Sequence, residues 1–447
     1  MFPARHHPGV RLPPRTLGPV HSVVSMLRPR LSSFCESALA LASSAQAAFI
    51  LESGKAAAKF LRMFDQAITR FKDFLWRLPW AVFLLVLLAF LVLKNGLWVF
   101  PAVEKVRLIS LDIYHGHFVN EPREQYLNYS YLGPLLGHAL GTNASTQSYV
   151  LMHFFLWLAG TAGILQMFRK KFGDDLGRYA GLALVGLPIT TTCLVWLGNS
   201  DVFVFLGASV LFLTSSWLVA LLAGLLLGVA HFEQTALILL LLLLPAWLLK
   251  KPAVLSARLL LLGLAGAVAG RLLLQGWFYL EHIHLAMDRV NYVLTAGDSQ
   301  FAFALAAHFG VLLLSLFGAF WPYLVFRLEA LRESDRRPFW GVVVALLLAA
   351  AVLGVVLDST RIFALLSWPL FLLLLPGMLD EGRRRDELRK IFLACALAAI
   401  LFPPLMVWSG QIFSSANYVF AGRVLTAVQD SEPVFPDNYK RYNELYK

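Results

Sequence analysis

Apolar runs separated by short polar or basic stretches fill most of the chain. The first of spanning length is Pro79–Phe100. A helix needs about 20 apolar residues to cross a bilayer. Tyr149–Phe168, Tyr179–Leu197, Thr235–Leu249, Ala257–Leu280, Phe301–Phe326, Phe339–Leu357, Ile362–Leu379 and Ile391–Trp408 follow. Two shorter runs, Asp201–Ser215 and Trp217–Ala230, read as a tight helical hairpin joined at Thr214-Ser215-Ser216. As a single helix, Asp201–Ala230 would be roughly 45 Å long, against a hydrocarbon core of about 30 Å. The pattern predicts an all-α polytopic membrane protein with about 11 transmembrane helices.

Loop charge orients these spans. Arg70, Lys72 and Arg77 precede the first. Arg169-Lys170-Lys171, Lys250-Lys251, Arg327 to Arg337 and Arg383-Arg384-Arg385 then fall on the same side. Basic loops face the cytoplasm. The N-terminus is therefore expected inside and the C-terminus outside, in a multi-pass protein of the bacterial inner (plasma) membrane. Three segments result: residues 1–62, a transmembrane catalytic domain at 63–408, and an extracytoplasmic tail at 409–447. Met1–Arg62 is rich in Arg, Ser and Ala, with Glu36 and Glu52 its acids. That composition suits a targeting segment, or an upstream start with Met63 the first true residue. Met1–Arg30 is expected to be disordered and Ser33–Arg62 to form a surface helix.

Composition agrees with the pattern. Of 447 residues, 58% are hydrophobic and only 15% charged. Soluble domains are about one quarter charged. The net charge of +11 follows from the cytoplasmic loops, so it implies no nucleic-acid partner. Cys35, Cys193 and Cys395 are scattered and form neither a disulfide framework nor a zinc motif.

With the topology set, the other polar residues sort to the outer side. The longest polar stretch between the first apolar run and the C-terminal tail, "LDIYHGHFVNEPREQYLNYSYLGPLLGHAL" (Leu111–Leu140), follows the first span and holds Asp112, Glu121 and Glu124. "GNSD" ends at Asp201, and "HFEQ" carries His231 and Glu233. "EHIHLAMDRVNY" and "DSTR" complete the outer set. Arg271 lies inside an apolar run, and Arg361 follows Asp358 at a membrane edge. A charge within a span costs roughly 2.5–3.5 kcal/mol on insertion scales. Arg271 is thus either a functional group facing a cavity or a snorkelling arginine. Arg361 is either an anion site or the partner of Asp358. His115/His117 and His282/His284 are spaced for a divalent metal ion on an extended loop, or are interfacial histidines; no established metal motif is present. Tyr126, Tyr129 and Tyr131 suit either sugar packing or an interfacial belt. Asp112 reads as a general base or a helix cap. Glu121 and Glu124, flanking Arg123, read as reserve bases or a solvated ion-pair cluster. Asn128 and Asn143 head glycosylation sequons.

The layout resembles the GT-C superfamily of membrane glycosyltransferases. Its marks are a cytoplasmic N-terminus, one span, then an acidic extracytoplasmic loop. "YSYLGPLL" (Tyr129–Leu136), "GNSDVFVFLGASVLFL" (Gly198–Leu213) and "AGLLLGVAHFEQTALILLLLLLPAW" (Ala223–Trp247) are similar to segments of that superfamily. The first loop departs from it in lacking a compact acidic pair, and no soluble C-terminal domain follows. The resemblance implies transfer of a sugar from a polyprenyl-phosphate donor to a glycan or lipid acceptor on the outer side, among membrane lipids. First-loop carboxylates would supply the base. Arg271 or Arg361 would stabilise the departing phosphate, with Asp201, His231, Glu233, Tyr129 and Tyr131 contacting substrate. A polysaccharide polymerase and a lipid-linked saccharide flippase are the alternatives. Against the flippase stand the absence of an internal repeat and the placing of polar groups at the outer ends rather than the midplane.

Overall fold

The computed structural model describes residues 59, 62–99, 102–114, 122–248, 255–288, 291, 300–354, 359–378, 384–402, 404–408 and 411–414. Expectations for Met1–Arg30 lie outside the described residues, as do those for the loop at Lys250-Lys251. The surface helix expected over Ser33–Arg62 and the tail from Ser409 lie almost wholly outside them. The chain divides into two compact units, Met1–Phe71 and Lys72–Lys447. Helix α1 (Arg62–Arg77) holds most of what is described of the first. All that follows concerns the second.

That unit is built from helices. They are α2 (Trp80–Asn95), α3 (Val103–Leu111), α4 (Leu132–Ala139), α5 (Thr146–Phe172), α6 (Asp174–Gly186), α7 (Pro188–Val195), α8 (Asp201–Leu213), α9 (Trp217–Leu248) and α10 (Ala257–Leu280). Then come α11 (Gln300–Phe317), α12 (Trp321–Ser334), α13 (Arg336–Ala351), α14 (Ser359–Leu374) and α15 (Arg385–Leu401). Two short antiparallel strands, Leu405–Trp408 and Gln411–Ser414, end the described chain.

Among the described residues, and with Trp217–Leu248 taken as one helix across its break at His231, five helices are long and apolar enough to cross a membrane, or up to seven if each of two bent pairs is one span. The chain is a multi-pass membrane protein. Proline and glycine bend or divide several of the predicted runs. Tyr179–Leu197 is split between α6 and α7, which meet at a 62° bend. Pro188 has no N–H to give, and the Thr190 hydroxyl donates to the Leu184 carbonyl instead, at 2.7 Å. Phe301–Phe326 breaks at Gly318, where φ is 53°, a left-handed value that suits glycine. A side chain there would also meet the Gly186 carbonyl. Ile391–Trp408 is helical only to Leu401, since Pro403 and Pro404 end it. Its last residues form a strand, and the Val407 N–H donates to the Thr360 hydroxyl at 2.9 Å.

Local signals set the best-defined helix. Ser145 caps α5 through a reciprocal pair with Ser148, which satisfies two otherwise orphaned N–H groups. Arg169, Lys170 and Lys171 occupy its last turn, where the helix dipole favours cations.

Candidate functional site

The "HFEQ" segment falls at a break. His231 has φ −168° and ψ 84° inside α9, so the helix is interrupted there. The Thr235 hydroxyl lies 3.5 Å from the Leu227 carbonyl, eight residues back. On a continuous helix those groups would stand roughly 12 Å apart, so the chain folds back on itself. Packing against α10 agrees. A Cβ on Gly224 would lie 2.0 Å from the Gly263 carbonyl oxygen, and one on Gly228 would lie 2.1 Å from that of Ala267. The contacts advance together, so the first half of α9 runs parallel to α10, backbone against backbone. Only residues without bulk permit that approach. A straight α9 would leave about 45 Å between Leu248 and Ala257, more than nine residues can span at about 3.6 Å each.

The fold-back brings "HFEQ" to Arg271. This residue lies nine positions before the end of α10, about 14 Å along the axis. Its Nη2 is 3.3 Å from Glu233 Oε1, and its guanidinium carbon stands 3.9 Å from the centre of the Tyr129 ring. The Arg271 side chain is 11% exposed, yet its Nη1 has no acceptor. Glu233 Oε2 is 3.6 Å from His231 Nδ1. One residue on, buried Gln234 finds no hydrogen-bond partner for either side-chain amide atom. Leaving a buried polar group unmade costs about 1–3 kcal/mol. A polar ligand would satisfy these groups.

The first loop closes over this point. Ile109, Ile113, Leu127 and Tyr131 pack with Leu274 and Phe278 of α10. The Ala286 N–H donates to Gln125 Oε1 at 2.7 Å, which ties the loop to the segment after α10. Tyr131 N–H donates to the Val229 carbonyl at 3.1 Å, beside the His231 break. No family model, curated protein or solved structure matches this chain. The arrangement must therefore speak for itself.

Each expected residue now has a place. Tyr129 faces Arg271, but Tyr131 does not line the cluster. It is buried, and its hydroxyl donates to the Ile113 carbonyl at 2.6 Å. Burial, with Asp112 and Glu281 nearby, pushes its phenol up to about 12. The sugar-packing role for Tyr131 is thereby corrected: its ring is core and its hydroxyl is used. Asp112 is the capping residue at the C-terminal end of the short helix α3. Its Oδ1 accepts from the Tyr114 N–H at 3.2 Å, a local turn. His115, His117, Glu121 and Asp358 lie outside the described residues, as does the side chain of Glu124.

Arg361 has a different partner from the one expected. Its Nε and Nη2 donate to the two oxygens of Asp201 at 2.7 and 3.0 Å. Both residues are buried, and the guanidinium stands 5.4 Å from the Trp196 ring. Asp201 and Arg361 form a closed pair, so neither offers itself to a substrate. Phe203, two residues on from Asp201, packs with Leu132 and Ala230, which adjoin Tyr131 and His231 in the chain.

His282 and His284 are exposed, while Ile283 and Leu285 between and beyond them pack inward. Among the described residues, no three His, Cys, Asp or Glu gather to hold a metal ion. The sequon asparagines are structural. Asn128 is buried and its amide donates to the Gln125 carbonyl at 2.9 Å; the Asn143 amide donates to the Ser110 carbonyl at 2.6 Å.

The sequence reading missed two groups. Gln234 was legible as a polar residue leading an apolar helix. Lys94 falls within the predicted first span, Pro79–Phe100, and its ammonium donates to the carbonyls of Val185, at 2.6 Å, and Ala399.

Proposed function

We propose that this protein is a membrane glycosyltransferase of GT-C type that moves a sugar from a polyprenyl-phosphate donor to an extracytoplasmic glycan or lipid acceptor. One observation carries the reading. Arg271 lies in an apolar helix with an unsatisfied donor on its fork, stacked on Tyr129. A guanidinium so held matches a phosphate oxygen. The α10 residues just beyond it, Leu272 and Leu273, are exposed, as suits a face turned to lipid tails. A lipid-borne phosphate reaches such a position from the side, without leaving the bilayer. The charge developing on the departing phosphate would find its donor already oriented. The orientation proposed is the one in which basic loops stay cytoplasmic.

The test is direct. Purified protein in lipid nanodiscs is given a polyprenyl-phosphate-linked sugar and acceptor glycans, and released polyprenyl phosphate is measured. Arg271→Leu should reduce transfer by at least about 10²-fold, the scale of losing one oriented donor. Arg271→Lys should also be impaired, because an ammonium lacks the fork. Near-normal turnover by folded Arg271→Leu rejects the proposal.

A further inference from the structure

We infer that Glu233 is an exchangeable anion: it holds Arg271 while no phosphate is bound, and becomes the general base once phosphate takes the guanidinium. The inference rests on the glycosyl-transfer reading and adds a residue that the first-loop acids do not supply.

The geometry of the contact points to exchange. Glu233 Oε1 meets Arg271 Nη2 at 3.3 Å, through one oxygen and beyond the usual length of a charge-assisted bond, about 2.7–2.9 Å. Its side chain is 26% exposed, so it has somewhere to go. The Asp201 and Arg361 contact uses both oxygens, and the aspartate is fully buried. An empty site with a bare buried cation is costly, and an internal carboxylate relieves that cost. The donor's phosphodiester matches the carboxylate in charge and offers the fork two free oxygens in a geometry it fits, and the departing monophosphate gains a second charge. Glu233 is then released beside the very group that holds the donor. Among the described residues, the charged or titratable groups near it include His231, at 3.6 Å, and Tyr129.

In the step itself, the acceptor hydroxyl oxygen forms a bond to the anomeric carbon. The bond from that carbon to the phosphate oxygen breaks, and its electron pair leaves with the lipid phosphate. The hydroxyl proton passes to the Glu233 carboxylate. Asp112 is less suited, because its carboxylate already serves the Tyr114 turn.

Binding of polyprenyl monophosphate to the full-length protein in nanodiscs separates the claims. Glu233→Gln removes the competing anion and should bind this probe about tenfold more tightly than wild type, while Arg271→Leu binds it at least tenfold more weakly. With the sugar-charged lipid, Glu233→Gln should lose roughly 10²–10⁴-fold in transfer, the contribution of a positioned base. Unchanged affinity in Glu233→Gln overturns the inference. Transfer by Glu233→Gln within a few-fold of wild type overturns it as well. Tighter binding by Glu233→Gln in a protein whose wild type transfers no sugar supports the exchange and rejects the glycosyl-transfer reading. Should Glu233→Gln not fold, Glu233→Asp serves: its shorter reach loosens the hold on Arg271, so affinity for the probe should again rise.

Discussion

Two arginines meet carboxylates in this molecule, and they meet them differently. Arg361 grips both oxygens of Asp201 and lies near the Trp196 ring. Arg271 touches one oxygen of Glu233 at 3.3 Å and has an Nη1 with no acceptor. The first pair is complete, and it ties the start of α14 to the start of α8. The second is half made, and it sits where a helix breaks. A buried ion pair closed through both carboxylate oxygens is a fastening. One with a donor left over is a receptor. In sequence Arg271 stands within an apolar run and Arg361 follows "DST", but only the partner's geometry shows which pair is closed.

Substitution should pull the two apart. Arg361→Leu leaves the Asp201 carboxylate buried and alone, and should cost about 3–5 kcal/mol of stability, read by unfolding in detergent. Replacing Asp201 with Leu in the same protein should restore much of that loss. If Arg361→Leu unfolds like wild type, the fastening does not exist and the contrast collapses. Arg271→Leu should leave the unfolding midpoint nearly unmoved, because Glu233 can turn towards solvent. Its affinity for polyprenyl phosphate should fall roughly 10–100-fold, matching about 1.5–3 kcal/mol for charged hydrogen bonds. A large loss of stability would make Arg271 a second fastening.

Smaller effects sharpen the same contrast. Tyr129→Leu removes the ring beneath Arg271 and should weaken lipid-phosphate binding by a few-fold, in line with about 0.5–2 kcal/mol for a cation–π contact. Equal binding would show that the ring does not orient the fork. Glu104, on the loop helix α3, is an exposed counterpart. Its hydrogen bond from Arg107 holds its carboxyl below the ordinary value, against partial desolvation. The stability this gives is present above about pH 4.3, the ordinary glutamate value, and is lost as pH falls through the lowered folded value. Being exposed, the pair should matter by less than about 1 kcal/mol, and unfolding of Glu104→Gln at pH 7 and pH 3 checks it.

How much of this was legible depended on distance along the chain. The break at "HFEQ" could be read because four mostly polar residues interrupt an apolar stretch. Arg271 stood out for the same reason. The Asp201 partner of Arg361 could not be read, since 160 residues separate them and Asp358 was nearer in sequence. Nor could Tyr129 be told from Tyr131. They are two residues apart, and which one faces the arginine depends on the turn Pro122–Tyr129 giving way to α4. Run length also could not show the bends at Pro188 and Gly318, which only the folded helices display. The candidate base shifted from Asp112 to Glu233 because only folding shows which carboxylate reaches the guanidinium.

Lys94 sets a timetable for assembly. Its two carbonyl acceptors are 91 and 305 residues further along the chain. As the chain emerges, α2 enters the bilayer with an ammonium whose second acceptor has yet to be synthesised. Val185 arrives with α6 and accepts the first hydrogen bond. Ala399 arrives with α15, near the end of the described helices, and accepts the second. A ribosome stalled before α15 would hold a chain in which this second hydrogen bond has not yet formed.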